Sequence, residues 1–185
     1  MGILLSFAPF IAFALLSRVL PVAGAVFAGA AVAVALLGWD WLVRKRSVKI
    51  LEAGTVLLFG GLGLLLLVIG GDWSIVEVRL VVDAGLMVIV LVSMLVRQPF
   101  TVQYARERVP AEVAASPQFM ATNYLISGVW ALAFVVMVIA DLIMVFMPEV
   151  PLSVGVRVTI AALAGAIWFT SWYPKHLKRK YAQSA

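Results

Sequence analysis

The chain has 185 residues, of which 64% are hydrophobic and 12% are charged, and its formal net charge is +5. Soluble domains average about 45–50% apolar and about 25% charged residues, so this composition excludes a soluble globular protein and predicts an integral membrane protein. The absence of cysteine excludes disulfides, thiolate metal ligands and cysteine nucleophiles.

Six apolar runs follow one another along the chain. Each is near the roughly 20 residues that a helix needs to cross about 30 Å of hydrocarbon, and the alternation typical of transmembrane β-strands is absent. The sequence therefore predicts one all-α domain, residues 1–185, with a basic tail at 174–185. The predicted helices cover residues 2–20, 22–43, 48–69, 78–96, 121–147 and 152–173.

The first run could also be a signal peptide, because Ala23, Gly24 and Ala25 resemble a cleavage site. It lacks a basic segment before the apolar residues, and Arg18 falls where a signal peptide carries no charge. These features favour a retained first helix.

Basic residues are distributed unevenly among the predicted loops. Three of the 14, Arg18, Arg79 and Arg157, fall on one side of a six-span arrangement. The positive-inside rule then places both termini in the cytoplasm, as expected for a multi-pass protein of the bacterial inner membrane. The others lie on the opposite side: Arg44, Lys45, Arg46, Lys49, Arg97, Arg106, Arg108, Lys175, Lys178, Arg179 and Lys180.

The longest cytoplasmic loop joins the fourth predicted helix to the fifth. Pro99 opens it, and Phe100 and Tyr104 are four residues apart, on one side of any short helix, with Arg106 and Arg108 close behind. This pattern predicts a short helix lying in the headgroup layer, with its aromatic side toward the lipid and its arginines toward anionic lipids. An ordinary solvated loop is the alternative.

Charged residues inside apolar runs are costly, about 2.5–3.5 kcal/mol each at the bilayer centre. We therefore expect Asp83 and Asp141 each to pair with an arginine, and these charges to share one layer in the outer half of the membrane. Arg79 and Asp83 are four residues apart and can pair on one helix face, whereas Asp141 could reach Arg157 or Arg18.

A polar stripe is predicted along the fifth helix. Asn123 and Asp141 are 18 residues apart, which is five turns, so they share one face with Ser127 and Trp130. Such a face is typical of hydrogen bonding between helices, and it would also suit a cavity or conduction path.

Small residues four apart, such as Ala25 and Gly29, allow close approach of helices in lipid. They indicate packing within the chain, with a homo-oligomer as the alternative.

The sequence carries no recognisable catalytic machinery. It has no phosphate-binding loop, no dinucleotide fingerprint and no zinc-protease motif, and it has a single histidine, His176. We therefore expect no enzymatic activity, no metal, no cofactor and no nucleic-acid partner.

Several short motifs, taken in chain order, resemble the bacterial septation protein A family. They are Phe7-Ala8-Pro9-Phe10, Trp39 or Trp41 before a basic loop, Phe59-Gly60-Gly61-Leu62, Gly71-Asp72-Trp73, Gln98-Pro99, Ser116-Pro117-Gln118-Phe119, Asn123 leading to Trp130, and an acidic residue with Pro148. The similarity extends from about residue 7 to residue 176.

This resemblance implies a non-enzymatic inner-membrane protein with a role in septation, cell division or envelope maintenance, through contacts with lipids and other membrane proteins. Two alternatives come from the residues themselves. One is a small transporter or channel that uses the Asp83 and Asp141 layer, and the other is a quinone- or lipid-binding membrane subunit.

Overall fold

The computed structural model describes residues 3–70 and 72–182, and every regular element in these ranges is a helix. A 3₁₀ helix at Ile3–Phe7 precedes the first α-helix, and a π-helical turn at Trp39–Val43 extends the second. In chain order the helices are α1 (Ala8–Leu16), α2 (Val22–Gly38), α3 (Ile50–Ile69), α4 (Ile75–Leu95), α5 (Phe100–Arg106), α6 (Ala111–Ala114), α7 (Pro117–Phe146) and α8 (Leu152–Ala182).

Four helices of the described chain are long and apolar enough to cross a membrane. This confirms an all-helical protein with the character of a membrane protein, while the count of six spans stays a prediction. The four segments are Val22–Val43, Ile50–Ile69, Pro117–Phe146 and Leu152–Leu177.

The first helix is shorter than the predicted 2–20. The 3₁₀ helix and α1 together end at Leu16, so they extend only about 24 Å at about 2.0 and 1.5 Å per residue. Turns follow through Leu20, and Pro21 then caps α2. A proline has no backbone N–H and disfavours helical geometry in the residue before it, which explains the break between α1 and α2.

The last helix is longer than predicted. It continues past residue 173, through Pro174, to Ala182, so the described part of the basic tail is helical. Pro174 removes one backbone hydrogen bond from this helix. The aromatic rings of Trp168, Trp172 and His176 stack along it, with centroids 5.4 Å and 4.9 Å apart.

Small residues bring α2, α3 and α4 close together. A Cβ atom at Gly29 would lie 2.7 Å from Cε1 of Phe59, and one at Gly54 would lie 2.9 Å from Cδ1 of Ile89. Both distances are too short for a real methyl group, so glycine is required for these contacts. Gly60 and Gly165, by contrast, face open space. Part of the small-residue pattern therefore serves packing within the chain.

An aromatic core joins the N-terminal segment to α5 and α7. Phe7 stacks on Trp130 with ring centroids 4.9 Å apart, and Phe100 meets the same indole edge-on at 6.2 Å. Phe134 packs one turn further along α7, 6.0 Å from Trp130. This aromatic core therefore lies where the N-terminal segment, α5 and the middle of α7 meet.

Candidate functional site

Arg79 and Asp141 form an ion pair across α4 and α7. Arg79 Nη2 lies 3.1 Å from Asp141 Oδ1, and the Asp141 side chain is fully buried. The same guanidinium nitrogen donates to Thr159 Oγ1 of α8 at 3.1 Å. Among the described residues, neither carboxylate oxygen of Asp141 has a hydrogen-bond partner of good geometry, so the contact is mainly electrostatic.

This pairing corrects the predicted partners. The sequence left Arg157 and Arg18 open as partners of Asp141 and predicted that Arg79 pairs with Asp83. Arg157 is exposed and instead donates to the Ser153 carbonyl at 3.1 Å. Asp83, also buried, interacts electrostatically with Arg79 and Asp141. Arg79, Asp83 and Asp141 do lie together, as predicted. In this group two carboxylates share a single arginine.

A groove of about 770 Å³ opens beside this charged cluster. Its walls come from α1, α4, α7 and α8, and most of them are apolar, including Phe13, Val82 and Leu163. Its polar groups include Arg18, Arg79, Asp83 and Thr159, whereas Asp141 is not among the lining residues. Arg18 therefore belongs to the groove rather than to the Asp141 pair.

The predicted polar stripe on α7 is confirmed as a buried face. Asn123, Ser127 and Trp130 are all buried. Trp130 Nε1 donates to Thr170 Oγ1 of α8 at 2.9 Å, and Ser127 Oγ shares a hydrogen bond with Thr101 Oγ1 of α5 at 2.9 Å. Asn123 Nδ2 instead donates to the Phe119 carbonyl within α7 at 2.8 Å. At Ser127 and Trp130 the stripe therefore serves hydrogen bonding between helices.

The loop after α4 contains the short helix predicted there, α5, but its aromatic face was assigned wrongly. Pro99 is buried, Phe100 is 0% exposed and Tyr104 is 5% exposed. They face the bundle rather than lipid. Arg106 and Arg108 are exposed, as expected. Phe100 and Tyr104 do share one side, and that side is covered by protein.

Polar contacts fasten α5 to four other parts of the chain. Tyr104 donates its hydroxyl to Ser6 Oγ at 2.8 Å, and Gln103 Oε1 accepts from the Ile50 N–H at 2.8 Å. Thr101 donates to the Asn123 carbonyl at 3.0 Å, and Ser93 Oγ accepts from the Phe100 N–H at 3.1 Å. Helix α5 therefore forms a cap on this end of the bundle.

A buried lysine lies beneath this cap. Lys49 is 3% exposed, and its Nζ lies 3.0 Å from Glu107, 3.5 Å from Glu52 and 3.9 Å from Asp40. It also lies 4.7 Å from the centre of the Tyr104 ring. Burial raises the pKa of the Tyr104 hydroxyl above its ordinary value, so this group stays a neutral hydrogen-bond donor.

The sequence predictions missed this lysine cluster, because Lys49 was counted only among the topology-determining basic residues. A signal was available. Asp40 lies in the predicted run 22–43 and Glu52 in the run 48–69, and an acidic residue in an apolar run requires a partner. Two such residues on either side of a basic loop indicate an ion-pair network.

Comparison with known proteins identifies no relative. No protein-family model matches the chain, and no match is found among curated proteins or among solved structures. The resemblance to the septation protein A family therefore rests on the short motifs alone.

Proposed function

We propose that this protein is a non-enzymatic membrane protein that binds a membrane amphiphile in the groove between α1, α4, α7 and α8. The observation that supports this is an apolar groove of about 770 Å³ with charged side chains on its wall. Ligand sites are commonly about 300–1,000 Å³, largely apolar, with a few polar groups that orient the ligand. From Leu152 to Ile167, both lining residues, the groove follows α8 for about 22 Å.

The selectivity of such a groove depends on its polar groups. A lipid tail gains little by leaving the bilayer for an apolar wall, because lipid tails are as apolar as leucine. Hydrogen bonds and charges in a medium of low dielectric constant discriminate more strongly between ligands. We therefore expect the polar head of the ligand, rather than its chain, to determine which amphiphile is retained.

The charges around the groove indicate the class of head group. Arg18 and Arg79 balance Asp83 and Asp141, so the site as a whole is neutral. An anionic head would have to compete with Asp141 for Arg79, 3.1 Å away. An uncharged or zwitterionic head that accepts from Arg18 and donates to Asp83 fits better. A quinol, whose hydroxyls both donate and accept, or a zwitterionic lipid with an ammonium head group belongs to this class.

Filling the groove tests this function. Ile160 lines the groove and is 62% exposed, so Ile160→Trp adds bulk there without cutting into the core. We expect protein purified in mild detergent to retain a lipid or quinol visible by native mass spectrometry, and Ile160→Trp to reduce its occupancy.

Leu67→Trp is the matched control, because Leu67 is similarly exposed, at 66%, on α3 and away from the groove. This variant should retain the ligand as the unmodified protein does. Absence of any bound amphiphile from the unmodified protein, or equal occupancy in Ile160→Trp, would contradict the proposal.

Transport is the second candidate, because Asp83 lies on the groove wall. If Asp83→Asn abolished an ion-dependent flux in proteoliposomes while amphiphile retention stayed unchanged, transport would take first place. The role in septation or envelope maintenance implied by the resemblance would be exercised through the bound amphiphile and through contacts with other membrane proteins.

Six spans with both termini in the cytoplasm form the topology that we propose. Contacts between the two basic loops support it, since Arg46 lies 3.3 Å from Glu107 and both loops therefore meet at one end of the bundle. The chain has no native cysteine, so single cysteines at Ser47 and Gln103 report accessibility directly. Both should be labelled only from the cytoplasmic side, and labelling from outside intact cells would contradict this topology.

A further inference from the structure

A second, smaller cavity lies beneath the α5 cap, apart from the groove. Its volume is about 250 Å³, larger than the roughly 30 Å³ that a single water occupies in the liquid. One wall is apolar, with Leu5, Leu36 and Trp39. Polar side chains complete the lining, and they include Asp40, Lys49, Glu52 and Tyr104. The cavity therefore has the amphipathic lining of a small-molecule site.

The carboxylates around Lys49 are unequally neutralised. Glu107 has the shortest contact with Lys49, 3.0 Å, and a second cation in Arg46 at 3.3 Å. Asp40 is paired with Arg44 at 3.1 Å. Among the described residues, Glu52 has one cation within 4 Å, and that is Lys49 at 3.5 Å. Glu52 is therefore the carboxylate with the weakest charge compensation.

The hydrogen bonds to Glu52 lead to the same conclusion. Its Oε1 accepts from the Ser6 hydroxyl at 3.4 Å, longer than the 2.5–3.0 Å of good O–H···O bonds. The Tyr104 oxygen lies 3.5 Å from the same atom, but its one proton is donated to Ser6 at 2.8 Å. Its Oε2 is buried and has no hydrogen-bond partner among the described residues. A buried anionic oxygen without a donor is costly, so this carboxylate has unused capacity for a donor.

We propose that this cavity binds a primary ammonium group, with Glu52 as its anionic partner. The Glu52 side chain is nine-tenths buried, lines the cavity and has the unpartnered oxygen. Its terminal torsion is broad, so the carboxylate can turn an oxygen toward the ligand at little cost. An ammonium supplies three N–H donors for the unpartnered Oε2, and its positive charge adds to that of Lys49, which lies 3.5 Å from Oε1.

A bare metal ion fits this cavity less well. Within the described chain, no group of three or more His, Cys, Asp or Glu side chains is arranged to hold a metal. Lys49 already occupies the position between Asp40, Glu52 and Glu107 that a metal would take. An ammonium on a short carbon chain can instead place its charge at Glu52 and its carbon atoms against Leu36 and Trp39.

Two sources can supply this group, a free small amine or the head group of an aminophospholipid, and one experiment with two arms separates them. In the first arm, delipidated protein in detergent is titrated with ethanolamine at constant ionic strength. Ethylene glycol, which lacks the charge, and tetramethylammonium, which lacks N–H donors, are the controls. In the second arm, the protein is placed in nanodiscs of phosphatidylethanolamine or of phosphatidylcholine, and Tm is measured in both arms.

We expect the primary amine to raise Tm above its controls, because a ligand that binds only the folded state stabilises it by mass action. A response to ethanolamine identifies a small-amine site, and a response to phosphatidylethanolamine alone identifies a lipid head-group site. Either result supports the proposal. If neither amine raises Tm above its matched control, the proposal is wrong.

Substitution of the carboxylate locates the effect. Glu52→Gln should abolish the difference between the amine and its controls. Glu107→Gln should preserve it, because Glu107 contacts Lys49 at 3.0 Å but does not line the cavity. A full response in Glu52→Gln would overturn the assignment. If Glu52→Gln fails to fold, Leu36→Trp replaces it, because Leu36 lines this cavity and not the groove. Filling the cavity should abolish the difference between the amine and its controls, and a full response in Leu36→Trp would overturn the assignment.

Discussion

Two charged clusters in this molecule neutralise buried carboxylates in different ways. Around Arg79, one guanidinium serves two carboxylates, Asp83 and Asp141, beside an apolar groove. Around Lys49, three carboxylates alternate with Lys49 and two arginines, and several of these side chains reach solvent. In the described part of the chain, the first cluster has one cation within 4 Å of its carboxylates, Arg79, whereas the second has three cations for three carboxylates and is partly exposed, with Glu52 contacted by Lys49 alone.

This difference predicts which single substitutions should lower the stability of the protein most. Breaking a buried ion pair leaves an uncompensated charge and costs about 3–5 kcal/mol, whereas exposed pairs contribute about 0–1 kcal/mol. A network with several partners can also rearrange after the loss of one member. We therefore expect the Arg79 cluster to be sensitive to single changes and the Lys49 cluster to be tolerant of them.

The largest effect should come from Arg79→Met. This change leaves two buried carboxylates without a cation and should lower the free energy of unfolding by about 3–5 kcal/mol. Asp141→Asn should cost less, because Arg79 can then turn to Asp83, four residues along the same helix. Denaturation of the detergent-purified protein measures both.

The double variant Arg79→Met with Asp141→Leu provides the control for the pair. It removes both charges and should recover part of the loss seen in Arg79→Met alone. If the double variant is as unstable as the sum of the two single changes, Arg79 and Asp141 are not energetically coupled.

A smaller effect is expected from Lys49→Met in the other cluster. Lys49 is 3% exposed and is the one cation within 4 Å of Glu52 among the described residues, so its loss leaves that carboxylate uncompensated, while Arg44 and Arg46 remain to neutralise Asp40 and Glu107. We expect a loss of about 1–3 kcal/mol, measured by the same denaturation. If Lys49→Met lowered the free energy of unfolding as much as Arg79→Met, Arg44 and Arg46 would not compensate for the missing lysine.

The smallest effect should come from Arg46→Gln. The Arg46 and Glu107 side chains are 36% and 29% exposed, so their pair should contribute less than about 1 kcal/mol. This contribution should shrink further in 1 M NaCl, where the Debye length is about 3 Å. The stability difference due to Arg79→Met should instead persist in high salt, and its disappearance there would remove the distinction between the two clusters.

Much of the fold could be predicted from apolar run length. The second to fifth helices lie within a few residues of their predicted positions, because about 20 consecutive apolar residues leave the backbone few alternatives to a helix in lipid. The first helix was predicted too long, since its apolar residues continue past the point where Pro21 prevents a continuous helix. Composition reports hydrophobic length and cannot by itself report where the backbone turns.

The partners within the sites were harder to predict. Spacing correctly placed Phe100 and Tyr104 on one side of α5, but it does not state whether protein or lipid covers that side. Likewise, Asp141 pairs with Arg79 because α4 packs against α7, a neighbour relation that no local pattern encodes. Sequence periodicity fixes which residues share a face, and only tertiary packing decides what that face meets.

The position of the α5 cap has a consequence for the order of folding. Tyr104 reaches back 98 residues to Ser6, whereas Thr101 bonds to Asn123, which is synthesised later. In a chain inserted from its N-terminus, α5 cannot complete its contacts until α7 has emerged. Protease sensitivity of the segment between α4 and α7 should therefore persist until α7 has inserted, making it a direct readout of when α7 has docked.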